Sequence, residues 1–175
     1  MRIPDTYRLV MGGLHWAVDD LPVQCVVYGA SAGEFVAVEA AFETWDNATS
    51  TPIYGTIHNG GTHPEVDNSV SWGPIDGPGG IIAQTGFSYW VNTKELVEFD
   101  IVFDIDEDWS TDGTEDTFDV RNVMTHELGH TLALDDLRSP RDGALTMHAY
   151  TWPGDVVKQD LGTGDILGIR AIYGE

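Results

Sequence analysis

The chain has 175 residues and a formal net charge of −21 at pH 7, with 29 acidic residues against eight lysines and arginines. Such a surface repels nucleic acid and anionic membranes, so we exclude both as partners. A hydrophobic content of 42% with six tryptophans is enough to build a core, which argues against disorder. The length fits one domain over residues 1–175, with residues 1–13 as an N-terminal extension.

The surface charge also predicts an unusual environment. Many acids with few lysines are typical of halophilic proteins, in which concentrated salt screens the self-repulsion. No stretch is long and apolar enough to span a membrane, and the first residues lack the apolar segment of a signal peptide. We expect a monomer.

The first half of the chain predicts strands around one helix. Residues 24–28 form an apolar strand, and Ser31 then begins a helix with Glu34 as its capping-box partner. A strand follows at 52–57. A second strand, at 69–72, lies within a long loop rich in glycine and proline, and we expect a bound metal or a functional role to account for such a loop. The helix has an apolar stripe at helical spacing that belongs to the core: Phe35, Val38, Phe42 and Trp45.

The second half begins with strands at 81–91 and 97–103. The acidic run 112–119 precedes a helix at 120–132, whose dipole it suits. The last helix is capped by Thr163 and directs three side chains to the core: Ile166, Ile169 and Ile172.

The helix at 120–132 contains His126-Glu127-Leu128-Gly129-His130. Histidines four residues apart share one face of a helix, so both imidazoles can bind one metal ion. Glu127 beside them fits a general base for a zinc hydrolase. The alternative is that two histidines on the helix surface lie beside an unrelated acid and form no metal site.

The residues that follow resemble the metzincin pattern H-E-x-x-H-x-x-G-x-x-H with a later methionine turn. Ala133 stands where the glycine belongs, Asp136 stands where the last histidine belongs, and Met147 follows. The resemblance is to the matrixins, the catalytic domains of matrix metalloproteinases. It implies an extracellular zinc endopeptidase of metzincin, zincin-like fold.

The resemblance makes Asp136 the third zinc ligand, and a carboxylate oxygen binds zinc at a length similar to that of imidazole nitrogen. Asp135 and His148 are the alternatives; ligand chemistry alone favours His148. The chain must leave the helix after His130, because six more helical residues would carry it about 9 Å along the axis. A positive φ at Ala133 costs about 1–2 kcal/mol.

Residues 76–84 resemble the matrixin segment that leads from a calcium loop into the substrate-binding strand. Oxygen ligands at flexible spacing suit calcium; a plain glycine turn is the alternative. The implied calcium ligands are Asp76, Gly77, Gly79, Ile81, Asp104 and Glu107, and the implied substrate-binding residues are Ile82, Ala83 and Gln84.

The same comparison predicts one zinc, not two. Matrixins hold a structural zinc with three histidines and an aspartate, but the matching positions lack good zinc ligands. We therefore expect one catalytic zinc, structural calcium at residues 76–107, and no second, structural zinc. The matching positions are Ser69, Ser71, Gln84 and Val102.

Residues 165–174 resemble the closing matrixin helix, so the resemblance covers about residues 14–174. It implies an α+β domain with a twisted mixed five-stranded sheet, three helices and an active-site cleft. Zinc on His126, His130 and Asp136 would lower the pKa of its bound water to about 7, with Glu127 as general base. Met147 would form an apolar floor below the metal.

Protein or peptide would be the substrate. Two alternatives remain open from the sequence: a non-catalytic zinc-containing binding domain, and a zinc-dependent amidase that acts on a non-protein substrate. The intact Glu127 argues against the first, because a domain without turnover has little need of a general base.

The charge generates a first prediction. The melting temperature should rise with added sodium chloride, because salt screens repulsion among the acids. Calcium chloride at equal ionic strength should raise it further if Asp76 belongs to a calcium site. A melting temperature that does not change up to molar salt would contradict the halophilic interpretation.

Overall fold

A computed structural model describes residues 5–174 of the chain, so residues 1–4 and 175 of the predicted domain lie outside it. Five strands form one mixed sheet in the order β2-β1-β3-β5-β4. The strands are β1 Val23–Tyr28, β2 Tyr54–Asn59, β3 Ser69–Gly73, β4 Ala83–Tyr89 and β5 Leu96–Asp104.

Four of these strands run parallel, and β4 pairs antiparallel with β5 at one edge. A second, two-stranded sheet joins β6 and β7. The predicted α+β class, the mixed five-stranded sheet and the three helices are confirmed. No helix in residues 5–174 is long and apolar enough to cross a membrane. The remaining elements are β6 Trp109–Ser110, β7 Phe118–Asp119, α1 Ala32–Asp46, α2 Val120–Thr131 and α3 Thr163–Tyr173.

Helix α1 begins as predicted. The Ser31 hydroxyl accepts a hydrogen bond from the Glu34 N–H at 3.4 Å, and the Glu34 carboxylate accepts one from the Ser31 N–H at 2.7 Å. The predicted stripe packs on the core, with Trp45 fully buried. The Trp45 indole donates to the carbonyl of Thr125 at 2.8 Å, and this hydrogen bond ties α1 to α2.

Helix α2 is buried along most of its length, unlike an ordinary surface helix. Asp119 caps its N-terminus by accepting a hydrogen bond from the Asn122 N–H at 2.8 Å. Met124 and Leu128 are fully buried in the core. A helix held on several sides gives its side chains a fixed position.

The chain leaves α2 as the sequence predicts. Ala133 has φ 62° and is fully buried. The Leu134 N–H donates to the carbonyl of Gly129 at 2.9 Å, which closes the turn. The left-handed conformation at a non-glycine residue is strained, so the surrounding packing must hold it.

One predicted detail of α3 is wrong. Gly162, not Thr163, is the N-cap, and Thr163 is the first helical residue. Asp165 reaches back and accepts a hydrogen bond from the Gly162 N–H at 2.8 Å. A Cβ at residue 162 would lie 2.5 Å from a methyl carbon of Leu145, so close packing favours glycine at the cap. As predicted, the helix packs on the core through Ile169, with Ile166 and Ile172 partly buried.

Part of the predicted N-terminal extension joins the fold. Leu9 forms a bridge with Leu134. The Val10 N–H donates to the carbonyl of Ala133, and the Asp135 N–H donates to the carbonyl of Arg8, both at 2.8 Å. These bonds support the turn after α2.

The turn generates a second prediction. In Ala133→Gly, relief of about 1–2 kcal/mol of backbone strain should offset or exceed the loss of one buried methyl group, worth about 0.8 kcal/mol. The free energy of unfolding, from urea titration, should therefore stay level or rise. Ala41→Gly is the matched control, because Ala41 is equally buried in α1. It should lose about 1 kcal/mol or more. Equal losses in both variants would contradict strain at Ala133.

Candidate metal centre

Helix α2 presents two imidazoles to one point. The Nδ1 of His126 lies 2.8 Å from the carbonyl of Thr146, and the Nδ1 of His130 lies 2.8 Å from the carbonyl of Leu134. A carbonyl only accepts, so Nδ1 carries the proton in both rings. Each Nε2 is then left with a lone pair, which is the form that binds metal.

Asp136 completes the group. Its Oδ1 lies 3.5 Å from the Nε2 of His126 and 3.7 Å from the Nε2 of His130. Ligand atoms about 2.0–2.1 Å from a tetrahedral zinc are roughly 3.3–3.4 Å apart, so the donor set fits that ion. Within residues 5–174, these three form the one group of His, Cys, Asp or Glu side chains close enough to share a metal.

The electrostatics suit a cation at this point. The adjacent His126 imidazole lowers the pKa of Asp136 to about 2, so the carboxylate is charged at neutral pH. Burial lowers the pKa of His126, which favours its neutral form. Both groups therefore hold the protonation states in which they bind a metal ion.

The two alternatives to Asp136 have other partners. The Asp135 carboxylate pairs with the Arg8 guanidinium at 3.0 Å. The Nδ1 of His148 lies 3.3 Å from the carbonyl of Tyr150, and His148 is not part of the metal-binding group. The second oxygen of Asp136 pairs with Arg138 at 3.0 Å, which leaves Oδ1 directed at the histidines.

Glu127 lines one cleft together with His126, His130 and Asp136, and it is 6% exposed. The Thr85 hydroxyl on β4 donates to Oε2 of Glu127 at 2.5 Å. Sequence reasoning missed Thr85, although strand alternation places it on the same face as Ala83.

Met147 packs against Gly129 in α2. It is 2% exposed, and its N–H donates to the Asp165 carboxylate at 3.1 Å. A Cβ on Gly129 would lie 2.1 Å from the Met147 sulfur, so only glycine allows this contact. An apolar floor formed by Met147 below the metal stays a prediction.

Lys158 is a second residue that sequence reasoning missed. It is 3% exposed, and its ammonium donates to the carbonyl of His148. Its Nζ lies 3.4 Å from the Nδ1 of His126. Burial lowers the pKa of Lys158 to about 8. The available signal was that the chain has only two lysines, the other being Lys94.

A cleft of about 810 Å³ contains the site. One wall is the edge strand β4 with the residues before it, and the opposite wall is the segment 149–153. All three predicted substrate-binding residues line it: Ile82, Ala83 and Gln84.

The predicted calcium residues lie together but do not converge as the zinc residues do. The Asp76 carboxylate accepts from the Ile81 N–H at 2.9 Å. Asp104 accepts from the Asp76 N–H at 3.2 Å, and Glu107 accepts from the Gly79 N–H at 2.5 Å. Hydrogen bonds thus hold the loop, and calcium at this site stays a prediction.

The positions matched to a structural zinc are neighbours in the sheet. Strand register places Ser71 opposite Val102, and Val102 opposite Gln84. The Ser69 hydroxyl hydrogen-bonds to the carboxylate of Asp100. A row of serine, valine and glutamine offers no strong zinc ligand, and the absence of this zinc stays a prediction.

Comparisons with known proteins agree on one family. The Matrixin family model matches residues 30–174. The chain is similar to interstitial collagenase from Bos taurus, with 35% identity over 79% of the chain, and from Oryctolagus cuniculus, with 34% identity over 98% of it. Stromelysin-3 from Homo sapiens is 26% identical over 96% of the chain. The matches span 28%, 36% and 33% of these relatives, about a third of their length.

Proposed function

The chain belongs to the matrixin family, and on that premise we propose that it is a zinc-dependent endopeptidase. The observation that carries the proposal is the convergence of His126, His130 and Asp136 on one point, with Glu127 on the wall of the same cleft. His126, His130 and Asp136 are the proposed zinc ligands. The family and its peptidase relatives support protein or peptide as the substrate.

When bound, zinc would supply an activated water and a positive charge for the developing oxyanion. Glu127 accepts the proton of the attacking water and returns it to the leaving amine as general acid. Its hydrogen bond from Thr85 occupies Oε2 and leaves Oε1 for this proton. The buried position excludes bulk water from the carboxylate.

Strand β4 supplies the proposed substrate edge. It pairs with β5 on one side only, and its other side faces the cleft. An extended peptide can add to such an edge through main-chain hydrogen bonds. Ile82, Ala83 and Gln84 would make these contacts without reading the substrate sequence.

Calcium on Asp76, Gly77, Gly79, Ile81, Asp104 and Glu107 is part of the proposal, as is an extracellular location, in keeping with the family. Elemental analysis should find one zinc per chain and at least one calcium. Nothing in the geometry favours the non-catalytic domain or the amidase over the endopeptidase.

A third prediction tests the chemistry. Glu127→Ala should lower peptide hydrolysis at least about 100-fold, because the general base is lost. Its zinc content and melting temperature should match those of the wild type, since Glu127 does not ligate the metal. Hydrolysis is measured with casein and with mixed peptides, in dilute and in molar sodium chloride.

Two outcomes would count against the proposal. A zinc-loaded wild type that cleaves nothing in either salt would overturn the endopeptidase. Loss of zinc from Glu127→Ala would show that Glu127 binds the metal, and the assigned roles would be wrong.

A fourth prediction tests the third ligand. Asp136→Ala should weaken zinc binding at least about tenfold and remove activity, whereas Asp136→His should retain much of both. Asp135→Ala is the matched control, because that neighbouring carboxylate pairs with Arg8. Zinc dissociation constants come from chelator competition. Full zinc binding by Asp136→Ala, with a loss in Asp135→Ala or His148→Ala, would reassign the ligand.

A further inference from the structure

The mechanism gives no role to the buried ammonium of Lys158. Lys158 is one of two lysines in a chain of net charge −21, and it is 3% exposed. Burial of an ammonium is costly unless a partner compensates the charge. An acidic chain that keeps a lysine in its interior therefore needs an explanation at that position.

No carboxylate pairs directly with Lys158, although Glu127, Asp155, Asp136 and Asp165 act on its charge from further away. Its hydrogen bond goes to a neutral carbonyl, that of His148. The nearby Nδ1 of His126 already donates to Thr146 and has no lone pair to offer. Among the described residues, no carboxylate oxygen forms a salt bridge with Lys158 within 4.0 Å. The ammonium can still bind an anion.

The position of the ammonium is fixed by the elements around it. The Lys158 N–H donates to the Asn122 side chain at 2.7 Å, and the Asn122 amide donates to the Thr151 hydroxyl at 3.0 Å. Asn122 belongs to α2, one turn before His126. These bonds link the lysine, the metal helix and the cleft wall.

Lys158 also lines the cleft beside His126, together with the apolar side chains of Val123 and Ala149. A substrate side chain that enters here passes apolar walls and meets the ammonium. Apolar walls with one positive group select a short chain that ends in a negative charge, because a neutral amide leaves the ammonium poorly paired.

We propose that Lys158 is a specificity-determining residue that binds the carboxylate of a glutamate or aspartate next to the scissile bond. This inference rests on the proposed peptidase function. It assigns to that function a substrate class, namely peptides with an acidic residue beside the cleaved bond.

The overall charge of the chain opposes the binding of an acidic peptide. A net charge of −21 repels any acidic peptide. Salt screens that repulsion beyond about 8 Å at physiological ionic strength, whereas a contact inside the cleft is screened much less. The preference should therefore persist or grow as salt is added.

The test compares peptides that differ only in glutamate, glutamine or leucine at each of the two positions flanking the cleaved bond. At pH 7 and physiological salt, the wild type should show kcat/KM at least about tenfold higher for glutamate than for glutamine at one of them. Lys158→Met, of similar length, should bring that ratio close to one. Lys94→Met is the matched control, because it removes an equal charge from an exposed site, and it should keep the ratio.

A binding measurement separates this inference from the proposed function. Dissociation constants of the same labelled peptides for Glu127→Ala, by fluorescence anisotropy, report the pocket without turnover. If no peptide is cleaved, the peptidase proposal fails, while a glutamate preference in binding still supports Lys158. If Lys158→Met does not fold, Lys158→Gln serves in its place. Equal wild-type affinity and kcat/KM for glutamate and glutamine, or a preference for leucine, overturn the inference whatever the variants show.

Discussion

Two backbone carbonyls determine where the candidate metal centre can lie. The carbonyl of Thr146 orients His126, and the carbonyl of Leu134 orients His130, each through Nδ1 at 2.8 Å. Spacing on a helix only brings two imidazoles to one face. Their rotation and tautomer come from these carbonyls, and both carbonyls belong to segments outside the helix. The site therefore depends on how the chain returns to α2 after leaving it.

The two return paths have different supports. The strained turn at Ala133 brings the carbonyl of Leu134 to the His130 ring. Residues 8–10 hold that turn through backbone hydrogen bonds. Thr146 is held from the C-terminal helix, because the Asp165 carboxylate accepts from the N–H groups of Thr146 at 2.8 Å and Met147 at 3.1 Å. A buried acid in α3 thus helps to position His126, which lies far from it in sequence.

Local rules predicted part of this arrangement and long-range packing decided the rest. The capping box of α1, the paired histidines and the positive φ at Ala133 each follow from a few adjacent residues, and the structure has all three. The prediction of Thr163 as the N-cap was wrong, because glycine at residue 162 is favoured by close packing against Leu145, which is distant in sequence. Thr85 and Lys158 could not be found from motifs, since their roles depend on which walls meet across the cleft.

The positions of the cationic side chains determine the local charge of the cleft. Of eight lysines and arginines, Arg138 and Lys158 both line this cleft. Arg138 pairs with Asp136, so its charge holds that carboxylate in place. Lys158 has no such pair among the described residues, and it lies against the ring of His126. A protein whose surface repels anions thus places an ammonium without a paired carboxylate beside its candidate metal-binding group, and this contrast is what motivates the proposed binding of a substrate carboxylate.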